Sequence, residues 1–212
     1  MALEKIKFKK IIVGELQANS YILFTDNSEK CLIIDPGDEA HKLTKFIKNT
    51  GLNPAGIILT HGHFDHCAAT KELKSLYEIP IMIHKDDRDL LKSPLYVELA
   101  NLLNISIPPE ADLLLKDDET IIEGGIELKV IHTPGHTQGS ICLKSSGNLL
   151  FTGDTLFKGS IGRSDLQESD SNKLKKSLNI LKQFPPDTII LPGHGESSTI
   201  KQEIELNPFL KF

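Results

Sequence analysis

Four polar motifs, rich in histidine and aspartate, each follow directly on a short apolar stretch of the chain. The preceding stretches, such as "AGIILT" and "DTIIL", are rich in β-branched residues and end near Gly or Pro, which is typical of buried strands. We therefore expect a sheet-based fold whose strand ends bring these polar side chains together at one edge. The motifs are "THGHFDH" at 60–66, "HTPGHTQGS" at 132–140, "FTGDTLF" at 151–157 and "LPGHGE" at 191–196.

The remaining segments alternate between strand and helix patterns. The spacing predicts strands in "KFKKIIVGE", "SYILFTD" and "KCLIIDPGD", and helices over 39–51, 66–78 and 171–184. Residues 86–116 have no clear period, and we expect one or two short helices there before Pro108 and Pro109. That segment is interpreted as an insertion outside the core that forms a wall of the active site. No linker divides the chain, so we predict a single domain over residues 1–212.

Composition argues against several classes of protein. The net charge of −5 disfavours a nucleic-acid partner, which a basic surface would have to bind. No apolar run approaches the ~20 residues that cross a bilayer, and the N-terminus has no signal-peptide core. The three cysteines are scattered and odd in number, so neither a disulfide framework nor a thiolate metal site is indicated. We expect a cytoplasmic protein that binds neither membrane nor nucleic acid, with Cys67 as a small apolar core residue.

The motifs contain seven candidate metal ligands. Imidazole and carboxylate ligands without thiolates suit zinc, and iron and manganese are also compatible. His61 and His63 lie two residues apart and can point the same way, whereas Asp65 and His66 are adjacent and are expected to diverge, which suits a second metal. Two metals about 3.5–4 Å apart that share a carboxylate would hold a bridging hydroxide. The candidates are His61, His63, Asp65, His66, His136, Asp154 and His194.

The other three histidines are expected to lie outside this set. His41 falls on a predicted helix and is interpreted as a solvated surface residue. His84 ends a predicted strand and is expected to be buried and hydrogen-bonded. His132 lies four residues before His136, so it is a candidate to orient the His136 loop from behind.

Taken in order, these motifs resemble those of the metallo-β-lactamase superfamily over nearly the whole chain. Within it, the segment "GDTLFKGSIGRSD" is most similar to the glyoxalase II-like branch. The resemblance implies an α+β fold, the αββα sandwich, in which two mixed β-sheets lie face to face with helices outside. It also implies that His61, His63 and His136 bind one metal ion.

The resemblance further implies that Asp65, His66 and His194 bind the second metal ion and that Asp154 bridges the two. The catalytic group would be a metal-bound hydroxide held by Asp65 and Asp154. The chain stops soon after His194, so it resembles the short, single-domain glyoxalase II-like hydrolases. The larger enzymes add a C-terminal helical domain that holds part of glutathione.

These expectations favour a metal-dependent thioesterase that hydrolyses S-(2-hydroxyacyl)glutathione or a related small thioester. A thioester suits the site because a thiol with a pKa of about 8.5 leaves without needing a proton. Arg163, in "IGRSD", is a candidate to hold a substrate carboxylate, although pairing with Asp165 is slightly favoured. A homodimer is compatible with the sequence.

Three other functions compete with this hypothesis. A persulfide dioxygenase of the same branch would use one iron held by His61, His136 and Asp154, and the complete seven-ligand set argues for two metals instead. Lactonase or other ester hydrolase activity is a weaker alternative. An RNA-processing role is disfavoured by the acidic charge balance.

Overall fold

The computed structural model describes residues 5–103 and 105–211. Within these ranges the strands form two six-stranded mixed sheets and one two-stranded hairpin. The first sheet has the order β1-β2-β3-β4-β5-β6 and comprises Lys7–Val13, Ala18–Phe24, Lys30–Ile34, Asn53–Leu59, Ile81–His84 and Leu113–Leu115. The second has the order β14-β13-β10-β9-β8-β7 and comprises, from β7 upward, Thr120–Glu123, Ile126–His132, Ile141–Ser145, Leu149–Gly153, Ile189–Pro192 (β13) and Ser198–Thr199 (β14). The hairpin pairs β11 (Leu156–Phe157) with β12 (Ser160–Ile161).

Parallel pairing places the functional ends of neighbouring strands side by side. In the first sheet β3, β4, β5 and β6 run parallel, whereas β1, β2 and β3 form an antiparallel meander. In the second sheet β10 and β13 are parallel, and the other pairs are antiparallel. The carboxyl ends of β3 and β4, and those of β10 and β13, therefore lie together at their sheet edges.

Helices cover the outer faces of the two sheets. One buried cluster packs the first sheet against α1, α3 and α4, and another packs the second sheet against α5 and α6. A third cluster contains side chains of both sheets, among them Tyr21, Ile58 and Phe151, but none from a helix, and so fills the space between the sheets. The helices of the described ranges are α1 (Ala40–Thr50), α2 (Phe64–Cys67), α3 (Thr70–Tyr77), α4 (Pro94–Leu103), α5 (Ser171–Leu181) and α6 (Ile200–Leu206).

This layering follows from alternation along the strands. In β3, Cys31 and Ile33 belong to the outer cluster, whereas Leu32 and Ile34 belong to the cluster between the sheets. Because successive side chains point to opposite faces, a strand that is apolar at every position must be covered on both sides. The predicted αββα sandwich is confirmed. The single-domain assignment of residues 1–212 stays a prediction.

Two local expectations were wrong. The helix expected over 66–78 is divided into α2 and α3, with Ala68 and Ala69 between them. The segment 86–116 is not wholly outside the core, because Leu91, Tyr96 and Ala100 are buried against the first sheet's outer cluster. Its lack of period has a simple cause, since it combines short 3₁₀ turns at Lys85–Asp87 and Leu90–Lys92 with the short helix α4 and the three-residue strand β6. Among the described residues, no helix has the length and apolar character needed to cross a bilayer.

Candidate metal centre

The seven side chains singled out from the sequence come together at one edge of the sandwich. Each lies in the loop that follows a strand or in the helix after that loop. His61 follows β4 after one residue, Asp154 follows β10 directly, and His194 follows β13 after one residue. Asp65 and His66 lie in α2. The expectation of a shared strand-end site is therefore confirmed as geometry.

One group of possible ligand atoms consists of His61, His63 and His136. Their ring nitrogens lie within 4.8 Å of one another. His63 Nδ1 and His136 Nε2 are 2.9 Å apart. The three rings meet edge to face, which lets all three nitrogens point into one small volume.

A second group consists of Asp65, His66 and His194, and it also fits within 4.8 Å. His194 Nε2 lies 3.2 Å from Asp65 Oδ2 and 3.2 Å from His66 Nε2. The expectation that Asp65 and His66 diverge was wrong, because Asp65 Oδ2 and His66 Nε2 are 3.7 Å apart. Their position within the single turn of α2 turns both side chains to the same side.

Asp154 lies between the two groups. Its Oδ2 is 3.6 Å from His136 Nε2 in the first group and 3.6 Å from His194 Nε2 in the second. Its Oδ1 is 3.4 Å from His66 Nε2, and it is buried without a hydrogen-bond donor among the described residues. A carboxylate in this position has the placement required of a ligand that two cations share.

Backbone carbonyls fix the orientation of two of the imidazoles. His136 Nδ1 donates to the carbonyl oxygen of Arg163 at 3.0 Å. His194 Nδ1 donates to the carbonyl oxygen of Leu16 at 3.1 Å. Because a neutral imidazole carries one N–H, donation from Nδ1 leaves Nε2 as an unprotonated lone pair that faces the other candidates.

Neighbouring side chains orient the imidazoles of His61 and His63. His63 Nε2 donates to Glu168 Oε1 at 2.7 Å, so its Nδ1 is the free nitrogen. His61 Nδ1 lies 3.1 Å from Thr60 Oγ1, and its buried Nε2 has no hydrogen-bond partner among the described residues. Partners on the far side of a ring are the usual means by which proteins orient metal-binding histidines.

Asp35 is a functional residue that the sequence reading missed. It is buried, and its Oδ2 accepts from Thr60 Oγ1 at 2.6 Å and lies 3.1 Å from His66 Nδ1. Its Oδ1 accepts from the Thr60 N–H at 2.7 Å. The signal is present in "LIIDPGD", another apolar strand that ends in an aspartate before Pro-Gly, although the pattern there predicts only a strand.

Asp87 is the second missed residue. It is buried, and its carboxylate accepts from the Gly62 N–H at 2.9 Å, the Gly139 N–H at 2.6 Å and Thr137 Oγ1 at 2.6 Å. The carboxylate thereby ties the loop that carries His61 and His63 to the loop that carries His136. Burial raises the pKa of Asp87, whereas these donors act in the opposite direction. No periodicity in its segment marks it in the sequence.

The charges at the site favour a bound cation. Burial lowers the pKa of His61, and the neighbouring histidines, His66 first among them, lower it further. Burial also lowers the pKa of His136. For Asp65, burial acts against ionisation, but the adjacent His66 and His194 hold the pKa of the carboxyl below its usual range. His61 and His136 therefore present unprotonated imidazoles. Burial lowers the pKa of His66, but the carboxylates of Asp154 and Asp65 outweigh it and raise the pKa to about 10, and the hydrogen bond to Asp65 raises the pKa of His194 in the same way. A cation bound to the second group would take the place of these protons beside the carboxylates.

The donor set fits divalent metal ions. Tetrahedral zinc with Zn–N distances of 2.0–2.1 Å would separate its ligand atoms by about 3.3 Å. The contacts between candidate atoms measure 2.9 to 3.7 Å. At the shortest contact, His63 Nδ1 and His136 Nε2 both present lone pairs, which repel unless a cation or a proton lies between them. His61 Nε2 and Asp154 Oδ1 are buried without a hydrogen-bond partner among the described residues, and a bound cation would satisfy both.

The backbone at Gly193 packs directly against Asp154 and His66. A Cβ at Gly193 would lie 2.1 Å from Asp154 Oδ1 and 2.7 Å from His66 Cε1. Gly193 also donates its N–H to the Gly153 carbonyl at 2.7 Å, which holds the His194 loop against β10. Any side chain at position 193 would displace the carboxylate of Asp154.

The other three histidines and Cys67 lie as expected from the sequence. His41 is exposed, and His84 is buried with its Nδ1 accepting from the Asp86 N–H at 3.3 Å, both as predicted. His132 donates from Nε2 to the Gln138 carbonyl at 2.9 Å and so supports the His136 loop. Cys67 is buried in the core as expected.

Arg163 is exposed and forms two hydrogen bonds with Asp165, each 3.0 Å long. This matches the favoured interpretation of its side chain. Its contribution to the site comes from its backbone carbonyl, which holds His136. Side-chain contact with a substrate stays a prediction.

Comparison with known proteins agrees with this geometry. Residues 13–194 match the family model described as the metallo-beta-lactamase superfamily. The chain is 36% identical to "Probable metallo-hydrolase YqgX" of Bacillus subtilis, over 97% of this chain and 98% of the other. It is 35% identical to the hydroxyacylglutathione hydrolase GloC of Haemophilus influenzae, over 94% of this chain and 96% of the other.

Solved structures with the same fold include two with similar levels of identity. The BLEG-1 B3 metallo-beta-lactamase superposes with a TM-score of 0.90 at 37% identity, covering 97% of this chain and 100% of that one. TTHA1623 in a di-iron-bound form superposes with a TM-score of 0.85 at 36% identity, covering 95% and 100%. The chain belongs to the metallo-β-lactamase superfamily of hydrolases.

Proposed function

We propose that the chain binds two divalent metal ions and hydrolyses thioesters. His61, His63 and His136 would hold the first ion. Asp65, His66 and His194 would hold the second, and the two ions would share Asp154. The observation that carries this proposal is the convergence of seven ligand atoms while the far side of each ring is already hydrogen-bonded or packed. Zinc suits the donor set best, and iron and manganese share the same preferences.

The metals and the protein have separate tasks in this proposal. When bound, two divalent ions lower the pKa of a water molecule and polarise the scissile carbonyl. Asp65 and Asp154 supply the negative charge that balances the ions and accept hydrogen bonds from the attacking water. Asp35, Glu168 and the carbonyls of Arg163 and Leu16 hold the imidazoles in the required tautomer.

Thioesters are the substrate class that such a site serves most simply. Water attacks the acyl carbon, the C–S bond breaks, and the products are a carboxylate, a thiol and a proton. Because a thiolate with a pKa of about 8.5 leaves unprotonated, no separate acid is required. The resemblance to GloC supports S-(2-hydroxyacyl)glutathione as the first substrate to examine.

The test is thiol release from S-lactoylglutathione by protein whose metal content has been measured. We expect release that depends on metal, and we expect His61→Ala to lose metal and activity together. His41→Ala is the matched control, because that histidine is exposed on α1. Failure of the fully metal-loaded protein to release thiol from any small thioester would overturn the proposal.

Hydrolysis of β-lactams is a second candidate. It is favoured by the 37% identity to the BLEG-1 B3 metallo-beta-lactamase. Amide cleavage differs in that the leaving nitrogen must receive a proton. Parallel assays with a chromogenic cephalosporin and with a thioester compare the two reactions directly, and a kcat/KM at least 100-fold higher for the cephalosporin would reverse the assignment.

The iron-dependent persulfide dioxygenase is disfavoured by the complete second group. A mononuclear enzyme that uses His61, His136 and Asp154 has no use for Asp65 and His194 at 3.2 Å from each other. Oxygen uptake with glutathione persulfide, together with a ratio of one iron per chain, is the result that would support it. No oxygen uptake and two metals per chain support hydrolysis.

A further inference from the structure

An apolar pocket adjoins the second group of the candidate metal centre. Its volume is about 450 Å³, within the usual size range of small-molecule sites. Two residues connect it to the centre, since Asp65 lines it and the carbonyl of Leu16 accepts from His194 Nδ1. We call it the apolar pocket, and its principal lining residues are Leu16, Phe64, Asp65, Leu102, Leu103 and Ile105.

Three exposed leucines cluster in the lining of the pocket. Leu16, Leu102 and Leu103 are all exposed, although large apolar side chains normally turn inward. They come from two separate elements, the β1–β2 turn and the end of α4, and they meet beside the proposed reaction site. Apolar side chains clustered at the rim of a polar centre mark a binding surface for an apolar group.

The charges around the pocket restrict that group further. Glu15 and Asp38 line it beside Asp65, whose charge the proposed metal ion would offset, and none of its described lining residues is a lysine or an arginine. A carboxylate on the bound group would be repelled and would find no partner. Carrier thiols such as glutathione bear carboxylates, so the pocket is better suited to the acyl side of a thioester than to its thiol side.

We infer that the apolar pocket binds the acyl chain of the substrate and that the preferred substrates are thioesters of uncharged, apolar carboxylic acids. This inference rests on the proposed thioester hydrolysis and adds the class of acyl group. Placing the chain beside Asp65 positions the scissile carbonyl at the metal centre while the thiol points away from Glu15 and Asp38.

The first test is a series of thioesters that share the neutral thiol N-acetylcysteamine. Acetyl, butanoyl, hexanoyl and octanoyl esters are assayed with the metal-loaded protein. Burial of each added methylene predicts a rise in kcat/KM of roughly fourfold until the pocket is full. Glutaryl thioester, which ends in a carboxylate, is expected to react at least tenfold more slowly than pentanoyl thioester. A flat series, or equal rates for that pair, would overturn the inference.

The second test uses substitutions on the pocket rim. Leu102→Ser and Leu16→Ser are each expected to lower the ratio of octanoyl to acetyl kcat/KM at least fivefold. Leu206→Ser is the matched control, because Leu206 ends α6 and is 75% exposed, compared with 77% for Leu102. An unchanged ratio in both rim variants, or an equal fall in the control, would contradict the assignment.

A binding measurement separates this inference from the proposed function. The probe is a ketone analogue of the octanoyl thioester in which a methylene replaces sulfur, so that it cannot be hydrolysed. We expect the analogue to shift the methyl NMR signals of Leu16, Leu102 and Leu103, whereas the acetyl analogue leaves them in place. Shifts without thioester hydrolysis would retain the pocket and reject the proposed function. Hydrolysis with no shift would retain the function and reject the pocket.

A second copy of the chain is the other possible occupant. If the apolar pocket were a subunit contact, sedimentation velocity would show a dimer that Leu102→Ser dissociates. That result, combined with a flat acyl series, would overturn the inference. A sedimentation coefficient that is the same for the wild-type protein and Leu102→Ser, combined with a rising series, supports it.

Discussion

The Oδ2 atom of Asp35 lies 3.1 Å from Nδ1 of His66, on the side of the imidazole opposite the candidate metal centre. The same oxygen accepts from Thr60 Oγ1, and both Asp35 and His66 are buried. This contact fixes Nδ1 as the protonated nitrogen and leaves Nε2 for a cation. Asp35 therefore acts through His66 as a positioning residue.

Asp35→Asn is expected to weaken metal binding. An amide nitrogen placed opposite Nδ1 would donate where the carboxylate now accepts, and substitutions of this kind cost roughly 10- to 100-fold in metal affinity. Competition with a chromophoric chelator measures the change. Asp26→Asn is the control, because Asp26 is an exposed residue that pairs with Lys7. An affinity for metal equal to that of the wild type would contradict the role of Asp35.

Glu168 is expected to hold His63 by accepting a hydrogen bond. Glu168→Ala removes the acceptor for His63 Nε2 and should lower metal affinity about tenfold. Glu168→Gln keeps a carbonyl oxygen that can accept the same bond, so it should recover most of the loss. The chelator competition described for Asp35 distinguishes the two variants. Equal losses in both would show that the charge matters and that the hydrogen bond does not.

Asp87→Ala is expected to destabilise the fold. The substitution leaves the Gly62 and Gly139 N–H groups and the Thr137 hydroxyl without their buried acceptor, at a cost of about 3 kcal/mol or more. Urea denaturation of the protein measures the free energy of unfolding. Asp89→Ala, at an exposed position nearby, should change it by less than about 0.5 kcal/mol. Similar free energies of unfolding for the two variants would contradict the role of Asp87 in joining the two loops.

The three thiols are expected to be unreactive in the native protein. Burial raises the pKa of Cys31 to about 12 and that of Cys142 to about 11, and it also raises the pKa of Cys67. Because only the thiolate attacks, a disulfide reagent at pH 7.5 should label none of them. After denaturation it should label all three. Rapid labelling of one thiol in the folded protein would contradict this expectation and show a reactive cysteine.

The sequence predicted the strand-end histidines well because each follows an apolar stretch whose strand character is local. To predict that His61, Asp154 and His194 lie together, it was enough to assume that strand ends meet at one edge of a sheet. Asp65 and His66 lie in one group with His194, and their binding of a second metal stays a prediction, but the expected divergence of their side chains was wrong. The directions of the two side chains depend on α2, which is a single turn. Its end at Cys67 could not be predicted, because the helical pattern of the sequence continues without a break into α3.

The residues that sequence reasoning missed act through tertiary contacts. Asp35 precedes Pro-Gly in the sequence, a context in which aspartate is common for local reasons, so its bond to His66 leaves no mark in the sequence. Asp87 accepts from residues 25 and 52 positions away, and no period or motif encodes such distances. The apolar pocket combines Leu16 with Leu102, and only the packing of α4 beside the β1–β2 turn brings them together.

Crystallographic anomalous scattering from the metal-loaded protein tests the central claim most directly. We predict two peaks per chain, about 3.5–4 Å apart. One should lie among His61, His63 and His136, and the other among Asp65, His66 and His194, with Asp154 between them. A fully metal-loaded crystal with a single peak, or with peaks away from these side chains, would contradict the account.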